Sequence, residues 1–280
     1  MGATDLGTGS DTILAQMVAE VLDIETNKVI VYSSDTDITP FDVGAYASST
    51  TYLSGTAVIK AAQQVKEQIL KVAGEMLEDD WENLNLEGGK VAGKNGTRSF
   101  SQIASYALYE RNQFQIASHA SHITHKSPPP FAAHFVEVEV DTLTGKVKVL
   151  KYVAAVDCGT AINPKAAEGQ TEGAVLNGIS FALTERYIFN EAGKMLNSNF
   201  GYYKIFSTAD LPEIKTILVP TYEETGPFGA KSVSEISING ALPAISNAVY
   251  NAVGIRLRES PFTPELVFNE IQKSKKVESF

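Results

Sequence analysis

The sequence predicts an α+β (mixed α/β) fold made of two α+β subdomains, residues 1–130 and 131–280. Three observations carry this. Stretches with a helical apolar period alternate with runs of two-residue period, so neither element type dominates. Some of those runs form hairpins, mixed among the helices. The chain has 280 residues, about two domains at roughly 150 each, and Pro128-Pro129-Pro130 is a breaker at a candidate boundary.

The elements follow in order. Met1 to Ser10 is a Gly-rich turn with almost nothing ahead of it, so a preceding strand is expected from a lost segment or another chain. Ile13, Leu14, Met17, Val18, Val21 and Leu22 mark a first helix, with Ser10 or Asp11 as its cap. Lys28–Tyr32 reads as a strand, and 33–51 as a long polar loop of the functional kind. A helix over 56–78 carries Val58, Ala62, Val65, Ile69, Val72 and Met76 on one stripe. Asn95-Gly96 predicts a hairpin turn, and Phe100–Tyr109 a short helix.

In the second half, Val136, Val138 and Val140 alternate with Glu137 and Glu139. After a turn at 142–145, Val147 and Val149 alternate with Lys146 and Lys148. This predicts a hairpin with one apolar face and opposite charges on the other. A buried strand over 152–156 follows. Asn163-Pro164 starts a helix as N-cap and first residue, and its Gly169, Gly173 and Gly178 imply close approach of something to its backbone. A strand is expected over 214–219, a helix from about Pro243 to Gly254, a last helix over 264–272, and a frayed tail over 273–280.

Composition narrows the function classes. Apolar residues make up 44% and charged residues 20%, enough for an ordinary core. The net charge of −10 argues against nucleic-acid binding and against docking on anionic lipid. One cysteine, Cys158, excludes a disulfide framework, and any iron–sulfur cluster or cysteine-based zinc site held by this chain alone. It reads as a small buried residue. A cytoplasmic setting fits. No apolar run reaches the roughly 18–20 residues of a membrane span, and no signal peptide is visible.

Several motifs carry chemistry. Gly7-Thr8-Gly9-Ser10-Asp11-Thr12 opens a helix, where amides and dipole suit a phosphate, or form a plain Gly turn with a Ser cap. It is neither a dinucleotide fingerprint nor a Walker loop. His119, His122 and His125 lie in an extended Ser-rich segment that does not put them on one face, so a polar surface loop is expected rather than a metal site. Gly44 to Gly55 packs small residues and hydroxyls just before a helix, where a bulky ligand can approach. Gly226-Pro-Phe-Gly-Ala-Lys-Ser-Val-Ser-Glu235 ends a Gly-rich loop on one carboxylate ahead of a helix, either a helix cap or a general base.

Four blocks together resemble the molybdenum-cofactor subunit of the xanthine dehydrogenase/aldehyde oxidase family of molybdenum hydroxylases. Asp5 to Thr12 is similar to the family's first Gly motif. Gly44-Ala-Tyr-Ala-Ser-Ser-Thr50 to Gly55 is similar to its pterin loop. Val156-Asp-Cys-Gly-Thr-Ala-Ile-Asn-Pro164, running to Gly169-Gln-Thr-Glu-Gly173, resembles the helix bearing a cofactor-binding Gln, and Gly226–Glu235 the loop ending in the catalytic Glu. Order and spacing agree across nearly the whole chain. Thr8 departs from the Gln often found there, and Ser232-Val-Ser-Glu-Ile236 from Gly-Val-Gly-Glu-Pro, with the Glu kept.

The resemblance implies an oxidoreductase subunit that inserts water-derived oxygen into a C–H bond of an N-heterocycle, of purine/xanthine or nicotinate type. It implies Glu235 as catalytic base, taking a proton from water at the molybdenum. It implies molybdopterin, in its cytosine dinucleotide form, bound by Gly7, Thr8, Gly9, Ser10, Thr12, Ala47, Ser48, Ser49, Thr50, Gln170, Lys231 and Ser234. The dithiolene holds the molybdenum, so no protein metal ligand is expected. The 2Fe-2S cluster and FAD are expected on an iron–sulfur subunit and an FAD subunit. The N-terminal half of the molybdenum domain is expected from a further segment or chain. Two other readings remain open: a non-catalytic, partner-binding fragment of such a complex, and a relative acting on an aldehyde or an aromatic thioester.

Overall fold

A computed structural model describes residues 1–47, 49–111 and 113–277. The chain divides into two compact units. One is Met1–Pro128 with Tyr222–Lys231, the other Pro129–Thr221 with Ser232–Phe280. The sequence reading kept 131–280 in one piece. The structure instead seats residues 222–231 in the first unit, and the Gly226–Glu235 loop is divided between Lys231 and Ser232.

The first unit contains α1 (Ser10–Leu22), α2 (Gly55–Leu77) and α3 (Phe100–Tyr109), with a meander of β1 (Asn85–Glu87), β2 (Lys90–Gly93) and β3 (Gly96–Ser99). α1 buries Leu14 and Met17. It ends where Asp23 turns left-handed and its N–H returns to Ala19 and Glu20. α2 buries Val72, Ala73 and Leu77 against Val91 of the meander and Ile103 and Ala107 of α3. α3 starts with a reciprocal capping box between Ser99 and Gln102. The Asn95-Gly96 turn joins β2 to β3. β1, only three residues long, is too short to show a period.

The strand expected over Lys28–Tyr32 is not formed. Thr26–Lys28 is a 3₁₀ turn, and residues 29–33 join no sheet among the described residues. Their backbone contact is with Met1, whose amino group donates to Tyr32 (2.8 Å) and whose carbonyl accepts from Ser34 (3.2 Å). A strand exists only through its ladder, and sequence period cannot supply the partner.

The second unit contains β4 (Phe131–Val140), β5 (Val147–Asp157), β6 (Glu213–Leu218), α4 (Pro164–Leu183), α5 (Ser234–Asn239), α6 (Ala241–Val253) and α7 (Pro264–Val277). β4 and β5 form the expected antiparallel hairpin, with Glu137 opposite Lys151 and Glu139 opposite Lys148. β5 and the buried strand over 152–156 are one element, not two. A bulge between Glu137 and Val138 changes the register there, and Leu150 and Lys151 are consecutively exposed. The alternation therefore changes phase mid-strand. After α4, β6 pairs parallel with β5. Tyr152, Val156, Val175, Ile179, Ile245, Val249 and Val267 form the core, with Cys158 buried in it. α7 runs through 273–277, residues expected to fray, and 278–280 lie outside the described residues. No described helix is long and apolar enough to cross a membrane.

Asn163 caps α4 by accepting from Ala166 N–H (3.0 Å), with Pro164 next. The three glycines of α4 separate. A Cβ on Gly178 would lie 2.5 Å from Ala241 Cβ and 2.8 Å from the Ile238 carbonyl, whereas one on Gly169 or Gly173 meets nothing within 4 Å. Gly178→Ala should therefore overpack the site and cost about 1–3 kcal/mol. Gly173→Ala should gain up to about 1 kcal/mol of helix propensity. Urea midpoints moving in opposite directions are the expected result. A Gly178→Ala midpoint at or above wild type would show that the backbone approach at Gly178 is not tight.

Candidate functional site

The start of α1 differs from its expectation. The N-cap is Gly9, in the left-handed region, and neither Ser10 nor Asp11 caps. Asp5 does this work. Its Oδ1 accepts the N–H groups of Gly7 (2.8 Å) and Gly9 (3.1 Å), and its Oδ2 that of Asp11 (3.3 Å). Burial pushes this carboxyl up, but the N–H groups of Gly7, Asp11, Gly9 and Thr8 outweigh it and hold it below the usual carboxylate range. The amides expected to hold phosphate thus already face an anion of this chain, and an incoming anion has to replace it. Ser10 Oγ and Asp11 Oδ1 are buried with no hydrogen-bond partner, the two polar atoms here that a bound group could satisfy. Asp11 Oδ2 accepts from the Ser33 hydroxyl (2.9 Å), and Thr12 is exposed.

The pterin-like loop is held by its own short bonds. Gly44 (φ 121°) and Ala47 (φ 50°) supply the left-handed turns. The Ser49 hydroxyl donates to Tyr46 O (2.7 Å) and Gly44 O (3.1 Å). Ser48 lies outside the described residues. Thr50–Ser54 then forms a π-helical turn leading into α2, a rare form frequent at functional sites.

Onto this turn packs the 222–231 segment. Tyr52, buried in the π turn, donates to Thr225 Oγ1 (2.6 Å), which donates to Glu223 Oε1 (2.5 Å). A Cβ on Gly55 would fall 2.9 Å from Met17 Sδ and 3.1 Å from Pro227, a tight fit, and one on Gly226 would fall 2.1 Å from the Ala230 carbonyl, which excludes a side chain there. Phe228 sits in the left-handed region (φ 50°, ψ 25°), strain a non-glycine residue adopts only where packing imposes it. The segment ends on Lys231, only 9% exposed. Thr225's hydroxyl and N–H hold the Glu223 carboxyl below its usual range, with Lys231 and Lys126 adding to this.

In the second unit, Gln170, Ser234 and Glu235 come together at one end of α4 and α5. The Ser234 hydroxyl donates to Gln170 Oε1 (3.0 Å), and Glu235 follows in the first turn of α5, exposed. The N-cap of α5 is Val233, whose side chain makes no cap bond. Gln170 is half-buried, and the Gly169 and Gly173 positions beside it open on unfilled space.

The His-rich segment follows α2. Ser118 donates to Ala61 O (2.7 Å), Gln68 exchanges bonds with Ala117, and Lys60 donates to His122 Nδ1 (2.9 Å). Burial and Lys60 hold His122 below the usual imidazole range. Among the described residues no three His, Cys, Asp or Glu side chains cluster to hold a metal. Sequence reasoning missed Asp5 as a cap, although an Asp two residues before Gly7 is an Asx-turn signal. It also missed the Tyr52–Thr225–Glu223 chain, whose first link spans 173 positions and leaves no local trace.

The molybdopterin cofactor-binding domain family model matches residues 1–212. The chain is 40% identical over 274 residues to the probable hypoxanthine oxidase XdhD of Escherichia coli (strain K12), covering 97% of this chain and 29% of that protein. It is 35% identical over 276 residues to the putative xanthine dehydrogenase molybdenum-binding subunit XdhA of the same organism, covering 96% of this chain and 37% of that protein. Quinoline 2-oxidoreductase from Pseudomonas putida 86 superimposes with a TM-score of 0.86 at 28% identity, over 97% of this chain and 36% of that one. Reconstituted CO dehydrogenase from Oligotropha carboxidovorans also gives 0.86, at 26% identity, over 99% and 35%. The chain spans about a third of the length of the curated relatives it matches.

The Asp5 geometry fixes a pH dependence. A carboxyl whose folded pKa is depressed adds stability above its unfolded pKa, and that stability is lost as pH falls through the folded value. Asp5→Ala should cost about 0.5–2 kcal/mol near neutral pH, the range of a helix cap. The gap to wild type should close as pH falls through and below the ordinary Asp range. Thermal melts of both proteins at neutral and acidic pH check this, and a gap unchanged in acid would remove Asp5 from the capping role.

Proposed function

The chain belongs to the molybdopterin cofactor-binding domain family, and from that premise we propose that it forms part of the active site of a molybdenum hydroxylase acting on an N-heterocycle. The observation that carries this reading is the Ser234–Gln170 bond beside Glu235, on a helix face left open by Gly169 and Gly173. The names of two relatives, a hypoxanthine oxidase and a xanthine dehydrogenase subunit, and a quinoline 2-oxidoreductase structure, support a heterocyclic substrate of the purine or nicotinate class.

Bound molybdopterin, in its cytosine dinucleotide form, would supply the metal and a two-electron acceptor for the hydride that leaves the carbon as its C–H bond breaks. The chain's residues do the rest. Gln170, with Oε1 held by Ser234, turns its donor end toward acceptor groups of the cofactor. Ser10, Thr12, the 47–50 loop and Lys231 meet its remaining polar and anionic groups. Phosphate at the α1 amides of Gly7 to Gly9 requires Asp5 to withdraw. Glu235, exposed at the head of α5, accepts the proton released as water adds to the electron-poor carbon beside a ring nitrogen. In this reading the rest of the molybdenum domain supplies further contacts, and electrons leave to 2Fe-2S and FAD centres on partner chains in the cytoplasm.

Assembled enzyme turning over hypoxanthine, xanthine or nicotinate in isotopically labelled water should place the label in the product. Glu235→Gln keeps shape and hydrogen bonding but cannot accept the proton, so turnover should fall by about 10²–10⁴-fold with cofactor content unchanged. A rate within about tenfold of wild type would leave Glu235 as helix-end charge only. Gln170→Ala should weaken cofactor retention. A lost buried hydrogen bond costs about 1–3 kcal/mol, roughly tenfold to a hundredfold in affinity. Unchanged molybdenum content after dialysis would withdraw Gln170 from the cofactor contacts.

A further inference from the structure

We infer that His134 is a positioning residue for Glu235, gripping the helix α5 that carries it; this rests on the reading of Glu235 as the base. His134 stands on β4, opposite Ala154 of β5. Its Nδ1 lies 2.9 Å from the Tyr152 hydroxyl, and the two rings meet edge-to-face at 5.8 Å. Tyr152 is fully buried on β5, so this partner is fixed by the core. The other edge of the imidazole abuts the α5–α6 corner. A Cβ on Gly240 would lie 2.1 Å from His134 Cδ2 and 2.3 Å from Nε2. No residue but glycine fits there while the ring keeps its place.

Nε2 is buried and makes no hydrogen bond, an arrangement that needs a reason in a native core. The Ile236 backbone faces the ring and favours its protonated form, although burial dominates and holds the imidazole below its usual range. A neutral imidazole carries one N–H. When the Tyr152 hydroxyl donates to Nδ1, that proton is on Nε2, at the edge of the ring that abuts the α5–α6 corner. Ile236 is the residue after Glu235, and Gly240 closes the same helix. A helix of six residues has almost no stability of its own, so its direction comes from what holds it. α4 holds it at Ser234 and, through Gly178, at Ile238. His134 holds it from the sheet.

The test uses the assembled enzyme and His134→Phe, His134→Gln, Tyr152→Phe and Glu235→Gln. Amide exchange of residues 236–239 should quicken about tenfold in His134→Phe and Tyr152→Phe, the scale of the lost His134–Tyr152 hydrogen bond that fixes the ring against the corner. kcat should fall with KM and molybdenum content unchanged, and His134→Gln, which restores an N–H donor, should recover part of both. Tyr152→Phe keeps the ring and serves if His134→Phe does not fold. Unchanged exchange at 236–239, or faster exchange with kcat intact while Glu235→Gln is inactive, overturns the role of His134. An active Glu235→Gln overturns the base assignment, and the positioning role with it, whatever the exchange data give.

Discussion

The site in the second unit depends on how α5 is held against α4. Six residues cannot sustain a helix in water, and no side chain at Val233 caps this one. Its order is borrowed from a twenty-residue helix. The Ser234–Gln170 bond fixes the start, and the side-chain-free surface at Gly178 lets Ile238 and Ala241 approach the far end. Gln170 and Gly178 are about two turns apart on one stripe of α4, so the two contacts set both the position and the direction of α5. A carboxylate carried in the first turn inherits that precision, which catalytic groups require.

The first unit shows the same logic with strain in place of a helix contact. The 222–231 segment has few apolar side chains, yet it is fixed by the Tyr52–Thr225–Glu223 bonds and by the close backbone approaches at Gly55 and Gly226, and it ends on the buried Lys231. Phe228 and Ala47, both non-glycine residues in the left-handed region, sit in the two loops that the sequence singled out. Backbone strain of this kind persists only where neighbours over-determine it.

Much of the fold was legible because its signals are local. The stripe of α2, the Asn163-Pro164 start of α4, the Gly254 end of α6 and the Glu/Lys faces of the β4–β5 hairpin each need only a few neighbouring residues to be read. What failed was non-local. Lys28–Tyr32 has strand composition but no ladder partner among the described residues, the bulge at Glu137/Val138 hid the unity of β5, and β1 is too short to show a period. Of the candidate site, Gln170 came from resemblance alone, whereas Glu235 stood out as the carboxylate ending a Gly-rich loop, with resemblance choosing base over helix cap. The bond from Ser234 to Gln170 crosses 64 positions, and the surroundings of His134 have no local trace because its neighbours Tyr152 and Gly240 are set by register and helix packing.

The Asp5 carboxylate has one more consequence. It is joined to the amides it occupies by two to six residues, so its local concentration at the α1 terminus is on the order of millimolar or above. Free phosphate or other simple anions at lower concentrations compete poorly against such a tethered occupant. The α1 terminus is thereby neutralised from within the chain, by a side chain whose reach is set by a loop of a few residues.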